Sequence, residues 1–413
     1  MPNHTITSVK GFRAAAMHCG IKASGKPDLA MLVSDVPAAA AAVFTQNKVV
    51  GAPIIVGRRH IHPKNGGILR ACITNSGCAN VCTGQRGIDD ALEMCGLTAD
   101  VLAKLIQQEI PIHQILPFST GAIGHFLPME KIRSGIPQIA ANLSDSQQAG
   151  EAYANGILTT DLVTKTAHTT VTLNGAKITI AGNCKGSGMI APNMATMLAY
   201  ITTDAAISPK LLAKILPQIA NETFNCVTID QHTSTSDTFV VMANGLANGW
   251  KRPIILGPAF KKFTDALLDV SDSLAQQIAK DGEGATKLVT ICVTGAKSKF
   301  DAKLAAEAIA NSPLCKTAIH GGDPNWGRFV SAAGYSGAAM NPEKALCDIN
   351  GIVVCKNGCP SGADLAKVEK EMKTKHVRVT VDLGLSKAAA NSHRVYTCDL
   401  SREYIAINAD YHT

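Results

Sequence analysis

The sequence predicts a mixed α/β fold of layered helices and sheets, and three observations predict it. Segments with period-two alternation of branched residues recur along the chain, and segments with apolar residues at helical spacing lie between them. Apolar residues make up 46% of the 413 positions, enough for a core, while aromatics make up 4%, so Ala, Val, Ile and Leu must do most of the packing.

The elements follow in chain order. "DVPAAAAAVFTQN" (35–47) reads as a helix running into a strand or turn, and "GGILRACITNSGCAN" (66–80) as a strand ending in a glycine turn. "LTADVLAKLIQQ" (97–108) has helical spacing, with Thr98 as its N-cap. "AKITIAGNC" (176–184) alternates as a strand, and 208–224 reads as a helix interrupted or kinked at Pro217. Residues 286–296 and 376–384 are strands by their branched residues, and 301–312 is a helix with Asp301 at its start. The length suggests about two to three domains or one large layered unit. No sustained repeat and no Pro, Gly or Ser linker divides the chain, so the loop ending near 195 is the best candidate for a boundary.

The net charge of +7 is scattered. Its densest cluster, Arg58, Arg59, His60, His62 and Lys64, has no aromatic platform beside it and reads as a solvated loop, so nucleic acid is not the expected partner. No segment approaches the roughly 18 apolar residues of a membrane span. The first residues lack the apolar core of a secretory signal, which points to the cytoplasm and to reduced thiols for the 13 cysteines. Cys78 with Cys82, and Cys355 with Cys359, have a three-residue gap but no compact set of four ligands, so neither a metal nor a bound cofactor is expected.

The candidate chemistry starts at "KGSGMIAPNMATMLAY" (185–200), where a glycine-rich approach delivers Ala195 and Thr196 to the start of an apolar element. A threonine hydroxyl is a weak nucleophile unless a base takes its proton, and one solution is to make the threonine an N-terminus whose own amine is the base. A bent loop can create that terminus: the hydroxyl attacks the preceding carbonyl, the peptide becomes an ester, and water opens it. Ala195 is small enough and Gly186, Gly188 and Pro192 supply the bend, but a threonine that caps a helix beginning near Met197 fits the local sequence too. In "PFSTGAIG" (117–124), Thr120 and Gly121 suit an oxyanion hole, which needs a hydroxyl and a backbone N–H aimed at one point; an ordinary glycine turn fits as well. Lys185, Glu283 in "KDGEGATK" and the block "GGDPNWGR" (321–328) set charges among glycines, where a small charged ligand or plain solvent can meet them. "NSGCANVCTGQRG" (75–87) has a phosphate-binding composition without the spacing of a phosphate loop.

Taken together and in order, "KGFRAAAMHCGIK", "VFTQN", "NSGCANVCTG", "STGAIG", "TTD", "KGSGMIAPNMATML", "TSTSDT", "GEGATK", "GGDPNWGR" and "INADYHT" resemble the ornithine acetyltransferases, also called glutamate N-acetyltransferases. The resemblance implies an N-terminal-nucleophile-like architecture with a second, smaller α/β domain. It implies autocatalytic cleavage at Ala195–Thr196 into an alpha chain (1–195) and a beta chain (196–413) that jointly form the folded unit, commonly as two of each. It implies ping-pong transfer of an acetyl group from N-acetylornithine to glutamate on Thr196, in some members with acetyl-CoA as a further donor. By the same resemblance, Thr120 and Gly121 form the oxyanion hole. Lys185 meets the substrate carboxylate, Glu283 the side-chain ammonium, and Thr159 (or Thr160), Asn408 and Thr413 complete the pocket. Departures from the family's usual residues occur at Cys78, Leu162, Thr164, His232, Ser236 and Tyr396. Two other readings stand beside this one: a hydrolase with the same nucleophile, and an unprocessed small-molecule-binding protein.

Overall fold

The structure is a computed structural model and describes residues 4–191 and 197–410. Eight strands form the larger sheet: β1 (Phe12–Met17), β2 (Leu29–Phe44), β3 (Ile68–Cys78), β4 (Ile115–Ala122), β5 (Lys165–Leu173), β6 (Ala176–Lys185), β7 (Leu198–Thr203) and β8 (Thr238–Ala243). Their order is β4-β3-β2-β8-β7-β6-β5, with β1 paired to the first half of β2. The 16-residue β2 is the spine: its start pairs with β1 and β3, a bulge falls between Val33 and Ala38, and Ala39–Phe44 pair antiparallel with β8.

That pairing overturns the helix expected over 35–47. Alanine has the highest helix propensity, but the advantage is only a few tenths of a kcal/mol per residue. The run continues a strand already paired at Leu29–Val33, and Ala38–Ala41 are buried between neighbouring strands and α5. Ladder hydrogen bonds and burial outweigh local preference there.

Four helices, α1 (Ala52–His60), α2 (Gly84–Ile106), α3 (Met129–Ala141) and α4 (Gln147–Gly156), pack with the β1–β4 half, and α5 (Pro209–Glu222) and α6 (Pro258–Lys280) with the β5–β8 half. Alternation along β2 sends Met31 and Val33 to Met94 of α2 and Ile132 of α3, and Ala30 and Leu32 to Tyr153 of α4. Thr98 lies inside α2 and donates its hydroxyl to Met94 O at 2.8 Å, so it does not cap a helix. Pro217 is accommodated within α5, which runs on to Glu222. Arg58, Arg59 and His60 end α1 rather than forming a solvated loop: His60 is buried with Nδ1 2.8 Å from Ile115 O, and Arg58 donates to Thr45 O at 2.6 Å.

The smaller sheet holds β9 (Leu288–Thr294), β10 (Leu346–Ile349), β11 (Ile352–Lys356), β12 (Cys359–Pro360), β13 (His376–Asp382) and β14 (His393–Cys398), in the order β12-β11-β10-β13-β9-β14. Ala302 and Ala306 of α7 (Lys299–Asn311), Ile319 of α8 (Pro313–Gly321), Phe329 of α9 (Trp326–Tyr335) and Met372 of α10 (Leu365–Met372) close its core. The expected strands at 286–296 and 376–384 are β9 and β13, which pair in parallel, and the helix expected at 301–312 is α7, capped by Ser298. A last helix, α11 (Arg402–Asp410), returns toward the larger sheet. Among the described residues no helix is long and apolar enough to cross a membrane.

Polar contacts of β14 join the two sheets, and others hold the end of β14 to its own sheet. Tyr396 of β14 bridges to Val227 and places its hydroxyl 3.0 Å from Asp272 of α6. Buried Asp399, just after β14, accepts from the Thr286 and Lys287 amides at 2.8 Å each and from the Thr286 hydroxyl at 2.6 Å, and its other partner is His320 Nδ1 at 2.7 Å. Asp399→Ala strands those amides without an acceptor. It should lower the unfolding free energy by about 2–4 kcal/mol, measured by urea denaturation at neutral pH, and Asp399→Asn should cost less.

Candidate active site

Thr120 and Gly121 lie near the end of β4, which runs parallel to β3 with Gly121 opposite Gly77. Gly121 has φ 129°, and a Cβ there would sit 2.3 Å from the Gly77 carbonyl carbon, so only glycine fits. Asn75 braces the strand ends: its side chain accepts from Ser119 Oγ at 2.6 Å and donates to Cys78 O at 2.8 Å. That is what "NSGCANVCTGQRG" does here.

Lys185, the last residue of β6, reaches the same strand end. It is 5% exposed, and its ammonium donates to Thr159 Oγ1 at 2.7 Å and to Thr120 Oγ1 at 3.4 Å. Thr159, rather than neighbouring Thr160, therefore faces the lysine. With their oxygens accepting from Lys185, both threonine hydroxyls keep a proton to donate elsewhere.

A buried charge cluster holds Lys185 in place. Asp161, whose side chain is 0% exposed, stands 3.9 Å from Lys185 Nζ and accepts from Lys165 Nζ at 2.7 Å and from the Gly186 amide at 2.6 Å. Lys165 in turn donates to Asp281 at 2.6 Å. Burial by itself would raise the Asp161 carboxyl, but the charges of Lys185 and Lys165 hold it well below the usual carboxylate range. Burial also pushes the Lys185 ammonium down, with Asp161 opposing. A third lysine, Lys22, sits beside the group: it donates to Pro27 O at 2.7 Å and Leu158 O at 2.8 Å, and burial, against the attraction of Asp28, lowers it to about 8.

Glu283 follows α6 and is tied down by its amide, which donates to Ser187 O at 2.9 Å. Its carboxylate lies over Gly188, where a Cβ would approach the carboxyl carbon to 2.3 Å. Glycine at 188 is thus what admits Glu283. From α11, Asn408 Nδ2 donates to Glu283 Oε2 at 2.9 Å. Asn408 lies 125 positions from Glu283 and 223 from Lys185 by residue number, yet the fold brings all three around the 185–190 loop.

The described residues on either side of 192–196 are held by hydrogen bonds. On entry, Asp230 accepts from the Met189 and Ile190 amides at 2.7 and 2.8 Å, and Thr233 donates to Ala191 O at 3.0 Å. On exit, Met197 O accepts from the Thr238 amide at 3.0 Å, and Leu198 is the register partner of Lys185. Ala195 and Thr196 lie outside the described residues, as does Thr413. From Leu198 the chain is a buried strand, so the helix that Thr196 was to cap is not there.

Of the residues singled out in the sequence, Thr120, Gly121, Thr159, Lys185, Glu283 and Asn408 converge. "GGDPNWGR" does not join them: Arg328 donates to Leu314 O at 2.8 Å and pairs with Asp323 at the α8–α9 turn. Sequence reasoning gave no role to Asp161, Lys165, Asp281, Lys22, Asp230 or Asp237. Asp161 and Asp237 stood within the quoted "TTD" and "TSTSDT", but nothing local marks a carboxylate as buried. Among the described residues no group of three His, Cys, Asp or Glu could hold a metal. A cavity of about 750 Å³ lined by Ala40, Phe44, Arg58, His62, Pro209 and Leu216 shares no residue with this constellation.

The arrangement presents a cation and an anion on either side of a glycine-rich loop, with hydroxyl donors beside the cation. It suits a small substrate carrying both a carboxylate and an ammonium. The ArgJ family model matches residues 13–413. The arginine biosynthesis bifunctional protein ArgJ of Geobacter sulfurreducens is 44% identical over 98% of this chain and 100% of its own. That of Geobacillus kaustophilus is 43% identical over 99% and 96%. Among solved structures, ornithine acetyltransferase complexed with ornithine from Mycobacterium tuberculosis is 34% identical, covers 47% of this chain and 97% of its own, and has a TM-score of 0.42.

Asp161→Asn removes the charge that holds two buried lysines. It should lower stability by about 3–5 kcal/mol at pH 7. The folded carboxyl is held below its unfolded value, so its contribution is full above about pH 4 and is lost as the pH falls toward the folded value. Urea denaturation of both proteins should therefore show the gap narrowing in acid; a gap independent of pH would contradict the assignment.

Proposed function

The chain belongs to the ArgJ family, and we propose on that footing that its chemistry runs through Thr196. The protein is an acyltransferase of arginine biosynthesis that moves the acetyl group of N2-acetyl-L-ornithine to L-glutamate. In our reading the Ala195–Thr196 bond opens autocatalytically, giving an alpha chain of 1–195 and a beta chain of 196–413 that share an N-terminal-nucleophile-like fold. The freed amine of Thr196 takes the proton of its own hydroxyl, the hydroxyl oxygen attacks the acetyl carbonyl, and ornithine leaves. Glutamate then attacks the acetyl ester with its α-amine. One amide is exchanged for another, so no ATP is required.

The remaining roles follow from charge and direction. The Thr120 hydroxyl and the Gly121 amide stabilise the tetrahedral oxyanion. Lys185 and Thr159 hold the α-carboxylate, Glu283 holds the ornithine ammonium, and Asn408 and Thr413 close the pocket. The same acetyl-enzyme allows acetyl-CoA as a further donor substrate, and the reading invokes no bound cofactor. Two alpha and two beta chains assemble in the cytoplasm. The observation that carries this reading is the convergence of Thr120, Thr159, Lys185, Glu283 and Asn408 beside a segment whose two ends are clamped.

Intact mass under denaturing conditions tests it. The wild-type protein should appear as two fragments whose masses sum to the full chain plus one water, while Thr196→Ala should stay whole and transfer no acetyl group. Activity in uncut Thr196→Ala would sink the mechanism. Specificity gives a second check. Glutamate brings a carboxylate where ornithine has its ammonium, so Glu283→Gln should raise the KM for N-acetylornithine by about tenfold or more, equivalent to about 1.4 kcal/mol. It should raise the KM for glutamate far less.

A further inference from the structure

The segment just before β2 folds around one buried carboxylate. Asp28 accepts from the amides of Cys19, Ile21 and Lys22 at 2.7, 2.7 and 2.9 Å, and His18 Nδ1 lies 2.9 Å from it. The Asp28 carbonyl takes the Ser76 amide at 2.9 Å, which fastens the segment to β3. The half-buried Lys22 starts from this fixed backbone. Its stem passes over Gly77, the partner of Gly121: a Cβ on Gly77 would sit 3.1 Å from Lys22 Cγ. Its ammonium ends on Leu158 O at 2.8 Å, and the next residue is Thr159, whose hydroxyl takes Lys185. Lys22 thus spans from the strand pair that carries Thr120 and Gly121 to the residues that meet Lys185. Its partners differ in kind from those of Lys185. Lys165 and Lys185 share Asp161 and Asp281, so these four charges sum to zero, and Lys185 already has an anion 3.9 Å away. Among the described residues Lys22 donates to two neutral acceptors, the Pro27 and Leu158 carbonyls. An ammonium carries three N–H donors, and these bonds use two.

We propose that Lys22 binds the α-carboxylate of the substrate together with Lys185 and Thr159, for N-acetylornithine and glutamate alike. This rests on the reading of Lys185 as the carboxylate-binding cation. The third N–H of Lys22 supplies a charge-assisted hydrogen bond, and its charge adds to that of a lysine whose own charge is already balanced. Glu283 separates the two substrates, whereas Lys22 serves the group they share. Its charge is conditional on pH. Burial lowers the ammonium to about 8; Asp28 and Asp161 oppose the drop, and Lys185 and Lys26 add to it. The protonated form is the one that binds, so the contribution is full below about pH 8 and is lost as the pH rises through that value.

The test is steady-state acetyl transfer from N-acetylornithine to glutamate by wild-type, Lys22→Gln and Lys22→Arg proteins across the alkaline range, with thermal melting to confirm folding. Glutamine can still donate to a carbonyl but has no charge. Lys22→Gln should raise the KM for both substrates about tenfold at neutral pH and leave kcat nearly unchanged. The ratio of wild-type to Lys22→Gln kcat/KM should then fall toward one as the pH rises past about 8, because the wild type loses the charge the variant never had. Ionisations of the substrates and of the Thr196 amine are common to both chains and cancel in that ratio. Lys22→Arg keeps its charge, so it should hold a low KM at neutral pH and keep it in alkali where the wild type does not. An unchanged KM in Lys22→Gln, or a rise by a factor that does not vary with pH, overturns the proposal, the second by showing a merely structural role. If Lys22→Gln fails to fold, Lys22→Arg decides: a KM that stays flat in alkali supports the proposal, and one that climbs with the wild type refutes it. Lys185→Met tests the underlying reading separately. If it leaves the KM values unchanged, the assignment of the carboxylate to Lys185 falls; if it raises them and Lys22→Gln does not, only the role of Lys22 falls.

Discussion

A lysine ammonium buried at the end of a strand needs an opposite charge within the fold, and Asp161 supplies it for Lys185. Most of the site depends on that pairing. Asp161 also takes the amide of Gly186 and the ammonium of Lys165, so one carboxylate fixes the start of the glycine-rich loop, the 159–165 turn and, through Lys165, Asp281 at the end of α6. Glu283 lies two residues beyond Asp281. Lys185 and Glu283 are therefore held by one buried network. Such networks are costly when half satisfied and rigid when complete.

Much of the strand pattern was legible, because branched residues at period two mark β3, β6, β9 and β13 directly. The misreadings share one cause. The alanines of β2 and the threonine of α2 were judged on local preference, while long-range pairing and burial decided their states. The site was legible as a set of ordered motifs. The sequence could nominate Thr120, Lys185 and Glu283 because glycines surround them, and the structure shows why: Gly121 avoids Gly77, and Gly188 makes room for the Glu283 carboxylate. Asp161, Lys165 and Asp281 were not legible as one buried network, since burial of a charge is a property of the assembled fold.

The loop near 195, read as a boundary, joins neighbouring strands of one sheet. Lys185 and Leu198 are register partners, so β6 and β7 lie side by side with the loop spanning their ends. The true division of architecture falls later, between the sheet that ends with β8 and the one that begins with β9. Catalytic candidates come from both sides of residue 195, and Asn408 comes from beyond the second sheet.

The placement of β7 and β8 bears on how the protein can fail. Both lie inside the larger sheet, between β2 and β6. Opening the chain before β7 leaves every ladder bond in place but turns one polymer into two interlocked ones. The uncut chain can unfold and refold as a single molecule. After the cut, unfolding releases separate fragments, each with strands whose partners now lie on another molecule, and reassembly becomes concentration-dependent. For a chain cut as proposed, persistence is governed by the rate at which its sheet opens rather than by a reversible balance.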